Sequence, residues 1–163
     1  MNKTESLTYL GEKVHESGKN KFNLLDRRAK AYAIFAEIRT ILEDVPLGKY
    51  RTQVGLQLRQ GIFISGVLFN SEVWHGLIST DLTMLSTVDN QILRYIIGAH
   101  AKTPTEFLFL ETAATPISFI VASRRMIYLQ NILQRDENEL LKRVYNAQCE
   151  NPTNEDFIEL VRN

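Results

Sequence analysis

Apolar residues recur along most of the chain at spacings of three and four, which is the period of an amphipathic α-helix. The first such run begins at Asp26 and ends at Pro46 and Gly48, both helix-terminating residues. Its apolar face is formed by Ala29, Tyr32, Ala33, Ala36, Ile38 and Leu42. We therefore predict a helix between Asp26 and Pro46 that buries this face.

A second run, over 49–73, is apolar nearly all round in its later half, which predicts the central buried helix. Three glycines interrupt the run, at Gly55, Gly61 and Gly66. Each weakens a helix by about 1 kcal/mol relative to alanine. Their recurrence therefore indicates close helix packing or a kink.

Start signals divide the rest of the chain into shorter helices. These signals stand at Ser79–Asp81, Thr103–Glu106, Thr115–Pro116, Asp136–Glu139 and Thr153–Asp156. The second has the form of a capping box with Pro104 at the first helical position. Gly98 ends the first of these helices.

Ahead of the helices, residues 7–25 alternate short apolar runs with a polar turn at 16–20, which predicts a β-hairpin. The predicted fold class is mostly α: an N-terminal β-hairpin followed by a multi-helix bundle of about six or seven helices. This order divides the chain into a hairpin at 1–25, a helix pair at 26–76 and a helical domain at 77–163.

The composition is that of an ordinary globular domain, because 44% of the 163 residues are hydrophobic. The single cysteine, Cys149, forms no intramolecular disulfide and fits a reducing compartment. The first residues lack the apolar segment of a signal peptide, and the longest apolar stretch, 62–69, is too short to span a membrane. We expect an intracellular protein, cytoplasmic or nuclear, without a membrane partner.

The formal net charge is +0, but the charges are divided unevenly along the chain. Residues 1–60 contain 11 Lys and Arg against 7 Asp and Glu, whereas 61–163 contain 8 against 12. A polyanion is therefore expected to bind the N-terminal third. The candidate nucleic-acid-binding residues are Lys19, Lys21, Arg27, Arg28, Lys30, Lys49 and Arg51. A solvated face of an amphipathic helix explains the same residues equally well.

Motifs for catalysis are absent from the sequence: it has no phosphate loop, HExxH, GxSxG or CxxC. The three histidines are far apart, so neither a metal nor a cofactor is expected. A composite site of Glu72, His75 and His100 is the enzyme hypothesis that remains.

The pair Arg124 and Arg125 either holds phosphate or forms structural ion pairs, and its acidic surroundings favour ion pairs.

Several stretches resemble, in order, the region downstream of the catalytic loop in reverse transcriptases of non-LTR (LINE-type) retrotransposons. They are Tyr9–Gly11, Arg27–Leu42, Leu68–Trp74, Val88–Gly98, Glu111–Ile117 with Arg124–Leu129, and Leu141–Tyr145. The third, LFNSEVW, is similar to the family's LLYGSEXW pattern, with Asn70 where the family usually has glycine. Asparagine is the next most tolerant residue for a left-handed backbone.

The resemblance implies that 1–25 is the end of a palm, 26–76 a thumb and 77–163 a helical buttress. The family's two-metal chemistry uses aspartates in a YADD-type loop upstream of YLG. No YADD is present here, so we expect no enzymatic activity from this chain by itself. The implied partners are an RNA or DNA duplex and, at the hairpin, a missing polymerase palm or a protein.

The expected function is weak contact with the backbone of a template–primer duplex through the basic N-terminal third, because a thumb grips phosphates and not bases. The alternative is a helical protein–protein interaction or scaffold module with no nucleic-acid role. In that case the exposed edge of the hairpin would pair with a strand of a partner protein, or exposed apolar faces of the chain would cover the partner.

Overall fold

The computed structural model describes the backbone of residues 6–9, 12–15, 21–74 and 79–150, and the side chains of 24–74 and 82–150. The described chain is mostly helical, as the sequence predicts. It contains six α-helices: α1 (Lys21–Leu42), α2 (Lys49–Leu58, continued by π-helical Arg59–Ile64 and α-helical Ser65–Val67), α3 (Ser79–Ile97), α4 (Thr105–Thr112), α5 (Ile117–Leu133) and α6 (Leu140–Glu150). A 3₁₀ turn, Ser71–Val73, follows α2. The helix expected from Thr153 lies outside the described residues.

The N-terminal segment differs from the hairpin expected over 7–25. Two short strands, β1 (Ser6–Tyr9) and β2 (Glu12–His15), pair antiparallel, and the expected turn at 16–20 lies outside the described residues. The expected second arm is wrong, because residues 21–25 belong to α1. The hairpin is therefore not confirmed as it was predicted.

Helix α1 buries a different face from the expected one. Its buried apolar residues are Leu24, Ala31, Ile34, Ile38 and Leu42. Its exposed residues include Ala29, Tyr32, Ala33 and Ala36. Alanine fits either face, whereas each buried Leu or Ile side chain contributes about 1.5–3 kcal/mol. The large aliphatic residues therefore decide which face of α1 is buried.

The later half of α2 is buried on one side only. Phe63, Ile64 and Val67 are buried, whereas Ile62 is 36% exposed and Phe69, just beyond the helix, is 50% exposed. Although its residues are apolar nearly all round, the helix is therefore not buried on every side. The helix nevertheless supplies a large part of the core, together with α3, whose residues Leu85, Val88, Ile92, Leu93 and Ile96 are buried.

Of two signals that predict where a helix ends or begins, Gly98 is confirmed and the capping box before α4 is not. Gly98 follows α3 with φ +68°, a left-handed conformation that favours glycine, and thus ends the helix as predicted. The capping box at Thr103–Glu106 is not formed. Helix α4 begins at Thr105 with Pro104 in the N-cap position, and no side chain caps it.

The described contacts divide the chain into two compact units that are not continuous in sequence. The main unit comprises residues 24–69 and 79–119, and the second unit comprises 1–23, 70–78 and 120–163. The three consecutive segments expected from the sequence, 1–25, 26–76 and 77–163, stay a prediction.

Candidate nucleic-acid interface

The seven candidate residues do not form one surface, because two of them point into the main unit. Arg27 lies on the buried stripe of α1 and is 5% exposed. Its Nη1 donates to the carbonyl oxygen of Val67 at 2.8 Å. This carbonyl is at the last residue of α2, where no helical N–H is available to it. Arg27 therefore holds the end of α2 and presents little of its charge to solvent.

Arg51 has the same role at the end of α1. It is 6% exposed, and its Nη1 donates at 2.6 Å to both Leu42 and Val45 carbonyl oxygens. Its Nη2 donates to the carbonyl oxygen of Tyr95 at 3.2 Å, and the guanidinium lies 4.6 Å from the centre of the Tyr95 ring. A cation at a helix C-terminus is favourable electrostatically as well, so Arg51 joins α1 to α3.

Three candidates remain on the surface of the main unit. Arg28 and Lys30 are exposed on α1, and Lys49 is exposed at the start of α2. The guanidinium of Arg28 lies 5.8 Å from the centre of the Tyr32 ring, one helical turn further on. None of the three forms an ion pair with a described residue. The side chains of Lys19 and Lys21 lie outside the described residues.

The sequence analysis missed the ion pair at the centre of the main unit. Arg59, the first π-helical residue of α2, is 4% exposed and Asp89 of α3 is 1% exposed. Arg59 Nε donates to Asp89 Oδ1 at 2.6 Å and Nη2 to Oδ2 at 2.7 Å, a bidentate pair. Nη2 also donates to the Thr115 carbonyl oxygen at 2.9 Å. No local signal reveals this pair, because its members are 30 residues apart in sequence.

Burial and the neighbouring Arg59 shift the pKa of the Asp89 carboxyl in opposite directions. Removal from water raises the pKa of the Asp89 carboxyl, whereas the hydrogen bonds and charge of Arg59 oppose that rise. A buried carboxylate is costly unless it is paired and hydrogen-bonded. The Arg59 guanidinium meets both requirements, so this pair positions α2 against α3 and belongs to the structure of the unit, not to its surface.

The Arg124–Arg125 pair lies in the second unit and contacts the segment that follows α2. Arg125 Nη2 donates to the Trp74 carbonyl oxygen at 2.6 Å, and Arg124 Nη1 donates to the Ser71 hydroxyl at 3.3 Å. Partial burial lowers the pKa of the Arg125 guanidinium. Both acceptors are neutral, so the ion pairs expected for Arg124 and Arg125 stay a prediction.

Of the residues weighed for catalysis, Glu72 and His100 have described side chains. His100 is exposed, and its Nδ1 accepts a hydrogen bond from the Lys102 main-chain N–H at 3.2 Å. The side chain of His75 lies outside the described residues. Among described residues, no three His, Cys, Asp or Glu side chains are grouped as metal ligands.

Among the described residues, no one helix is long and apolar enough to cross a bilayer alone, and the bent pair α4–α5 reaches the required length and hydropathy only when both helices are counted together.

Comparisons with models of known protein families, with curated proteins and with solved structures give no match to this chain.

Proposed function

We propose that the chain contacts the sugar–phosphate backbone of a nucleic-acid duplex, weakly and without reading sequence, through three exposed cations of the main unit, Arg28, Lys30 and Lys49. The observation that carries the proposal is that these three cations are exposed on one compact unit and pair with no described acid. Cations that contact phosphates have to reach solvent, and long-range attraction to a polyanion needs no further specificity.

The structure also narrows the candidate set. Arg27 and Arg51 donate to main-chain carbonyl groups inside the main unit, so they are not part of the proposed surface. Lys19 and Lys21 stay in the proposal as flanking cations. Since few phosphates are contacted, the affinity is expected to be low and to fall steeply with salt.

The broader proposal is that the chain is a thumb and helical buttress similar to those of non-LTR reverse transcriptases, without catalytic residues and located inside the cell. The ordered series of similar stretches supports it. So does Asn70, whose backbone adopts φ 56° and ψ 22° at the position where that family usually has glycine. The N-terminal hairpin is proposed as the end of a palm, and a palm or a protein as its partner.

The test replaces the three cations with glutamine, as Arg28→Gln, Lys30→Gln and Lys49→Gln together. Fluorescence anisotropy with a duplex of about 20 base pairs is measured at about 50 mM salt, where screening is modest. We expect at least a tenfold loss of affinity, because three phosphate contacts are removed. Arg27 is left unchanged, since its loss would unfold the end of α2.

A control variant with the same change in net charge tests whether the positions of the removed cations matter. Lys102→Gln, Arg135→Gln and Arg143→Gln together remove three cations that are exposed elsewhere. The proposal requires near-normal binding by this variant. An equal loss in both triple variants would indicate a non-specific charge effect and contradict the proposed surface.

The second candidate function is a helical interaction module, and exposed apolar side chains in the main unit favour it. Phe107, Leu110 and Phe119 are 52%, 81% and 66% exposed, and aromatic and aliphatic side chains of this size are typical of protein–protein contacts when they cluster. Absence of any anisotropy change with the unaltered chain at about 50 mM salt would favour this function over the first.

A further inference from the structure

Arg39 lies on the exposed side of α1, and two aromatic rings hold its side chain. The guanidinium carbon is 5.6 Å from the centre of the Tyr95 ring and 6.0 Å from the centre of the Phe35 ring. The rings meet edge to face with their centres 6.2 Å apart. A guanidinium stacked in this way keeps its N–H groups, which point outward in its plane, available to a ligand.

The Tyr95 ring is itself fixed in place. Its hydroxyl donates to the Arg39 carbonyl oxygen at 3.2 Å, and the buried Arg51 guanidinium lies 4.6 Å from the ring centre. A rigid ring restricts the rotamers of the long Arg39 side chain before any ligand arrives. Less conformational entropy is then lost on binding.

Arg39 also differs from most of the described arginines in its hydrogen bonding. Its guanidinium has no hydrogen-bond acceptor and no ion-pair partner among the described residues, and it lies near the rings of Phe35 and Tyr95. The arginines that do donate to a protein acceptor are Arg27, Arg51, Arg59, Arg94, Arg124, Arg125 and Arg135. An arginine held by rings alone retains its hydrogen-bond donors for an external anion.

An open groove of about 260 Å³ lies beside this guanidinium and is lined by Ala36, Arg39, Thr40, Glu43 and Tyr95. A water molecule occupies about 30 Å³, so a phosphate group and several waters fit. The Thr40 hydroxyl, which donates to the Ala36 carbonyl oxygen at 3.2 Å, is a second polar group at the groove. The Glu43 carboxylate opposes an anion there and limits its affinity.

Arg28 and Arg39 lie on one side of α1. They are 11 residues apart, which is three turns and about 16 Å along the helix axis. Each guanidinium lies over an aromatic ring. Each strand of duplex DNA carries one negative charge per roughly 3.4 Å of the duplex axis, so a backbone that follows α1 over this length presents several phosphates to the two side chains.

We propose that Arg39 is a phosphate-contacting residue, and that the groove beside it is a subsite for a phosphodiester of a nucleic-acid backbone. The inference rests on the proposed function and extends the contact surface along α1 from Arg28 to Arg39. A single guanidinium on a rigid aromatic support recognises the charge and the planar oxygen pair of a phosphate and carries no base specificity.

The first test is Arg39→Gln, measured by anisotropy with the same duplex over a range of salt. We expect a roughly three- to tenfold loss of affinity at low salt and a slope of log affinity against log salt that is smaller by about 0.9. The matched control is Lys102→Gln, which removes an exposed cation outside the groove. A loss no greater than that of the control would overturn the assignment.

The second test is Glu43→Gln, which is expected to change the affinity for the duplex in the opposite direction. Removal of a carboxylate beside the subsite is expected to tighten duplex binding about twofold, because like charges repel. Weaker binding would overturn the phosphate assignment and indicate that the carboxylate accepts hydrogen bonds from a base. Both variants change exposed side chains, and circular dichroism checks that each remains folded.

A third measurement separates this inference from the proposed function. Inorganic phosphate is added to ¹⁵N-labelled protein at constant ionic strength, and the Arg39 Nε–Hε resonance is followed. A saturable shift of the Arg39 resonance, with no comparable shift of the Nε–Hε resonance of the exposed Arg143, supports the subsite. The shift without duplex binding contradicts the proposed function alone, and duplex binding without the shift overturns the subsite alone.

Discussion

Arginine is the residue whose placement the sequence predicts least well. Arg27, Arg51 and Arg59 are buried, and all three donate to main-chain carbonyl groups. For Arg27 a signal exists, because it falls at the helical spacing between Leu24 and Ala31 on the aliphatic stripe of α1. For Arg51 and Arg59 none exists, because their partners are brought near only by folding. Exposed cations such as Arg28 could be predicted from local pattern alone.

The buried pair of Arg59 and Asp89 is the residue-level contact whose loss should matter most. Arg59→Met leaves the Asp89 carboxyl buried without its partner, and we expect the free energy of unfolding to fall by about 3–5 kcal/mol. Urea denaturation followed by circular dichroism measures this change. The double replacement Arg59→Met with Asp89→Leu should recover part of the loss, since no uncompensated charge remains.

The matched control is the exposed ion pair of Arg135 and Glu139 on the second unit, whose side chains are 45% and 46% accessible. Arg135→Ala should change the free energy of unfolding by no more than about 1 kcal/mol, because solvent screens that pair. A loss for Arg59→Met as small as this control would show that the interior pair does not join α2 to α3.

At the scale of elements, positions of helices followed from sequence more reliably than the faces that they bury. The starts of α5 and α6 agree with their cap signals, since these signals depend on neighbouring residues only. The prediction of the buried face of α1 was wrong because four alanine or tyrosine positions matched the helical period as well as the leucine and isoleucine positions did. The π-helical turn of α2 has no local signal of this kind.

Gly55 is the position where packing between elements is most exacting. A Cβ placed there would lie 2.6 Å and 2.8 Å from Cγ1 and Cγ2 of Ile96 on α3. Gly55→Ala should therefore lower the free energy of unfolding by about 1–3 kcal/mol through overpacking, despite the better helix propensity of alanine. Thermal or urea denaturation provides the measurement.

Gly61 provides the comparison within the same helix, because a Cβ there would have no neighbour within 4 Å. Gly61→Ala is expected to be neutral or to stabilise the fold by up to about 1 kcal/mol. Equal effects of the two substitutions would contradict the close approach of α2 to α3 at Gly55 and Ile96. The recurrence of glycine predicted close packing, and the structure assigns that role to Gly55.

At the scale of the whole molecule, net charge overstates the capacity of the N-terminal third to bind a polyanion. At least three of its 11 cations, Arg27, Arg51 and Arg59 among the described residues, are buried, so no more than eight can face solvent, against 7 acids. The proposed function therefore depends on the arrangement of Arg28, Arg39, Lys30 and Lys49 and not on an excess of positive charge. Sequence alone could suggest the cations, but their exposure and their partners required the fold.

The salt dependence of duplex binding by the unaltered chain tests the central claim most directly. Contact of these four side chains with phosphates predicts that log affinity falls against log salt with a slope of about −3 to −4. Binding should be detectable at about 50 mM salt and largely lost at about 200 mM. A slope near zero, or no binding at the lower salt concentration, would contradict the account.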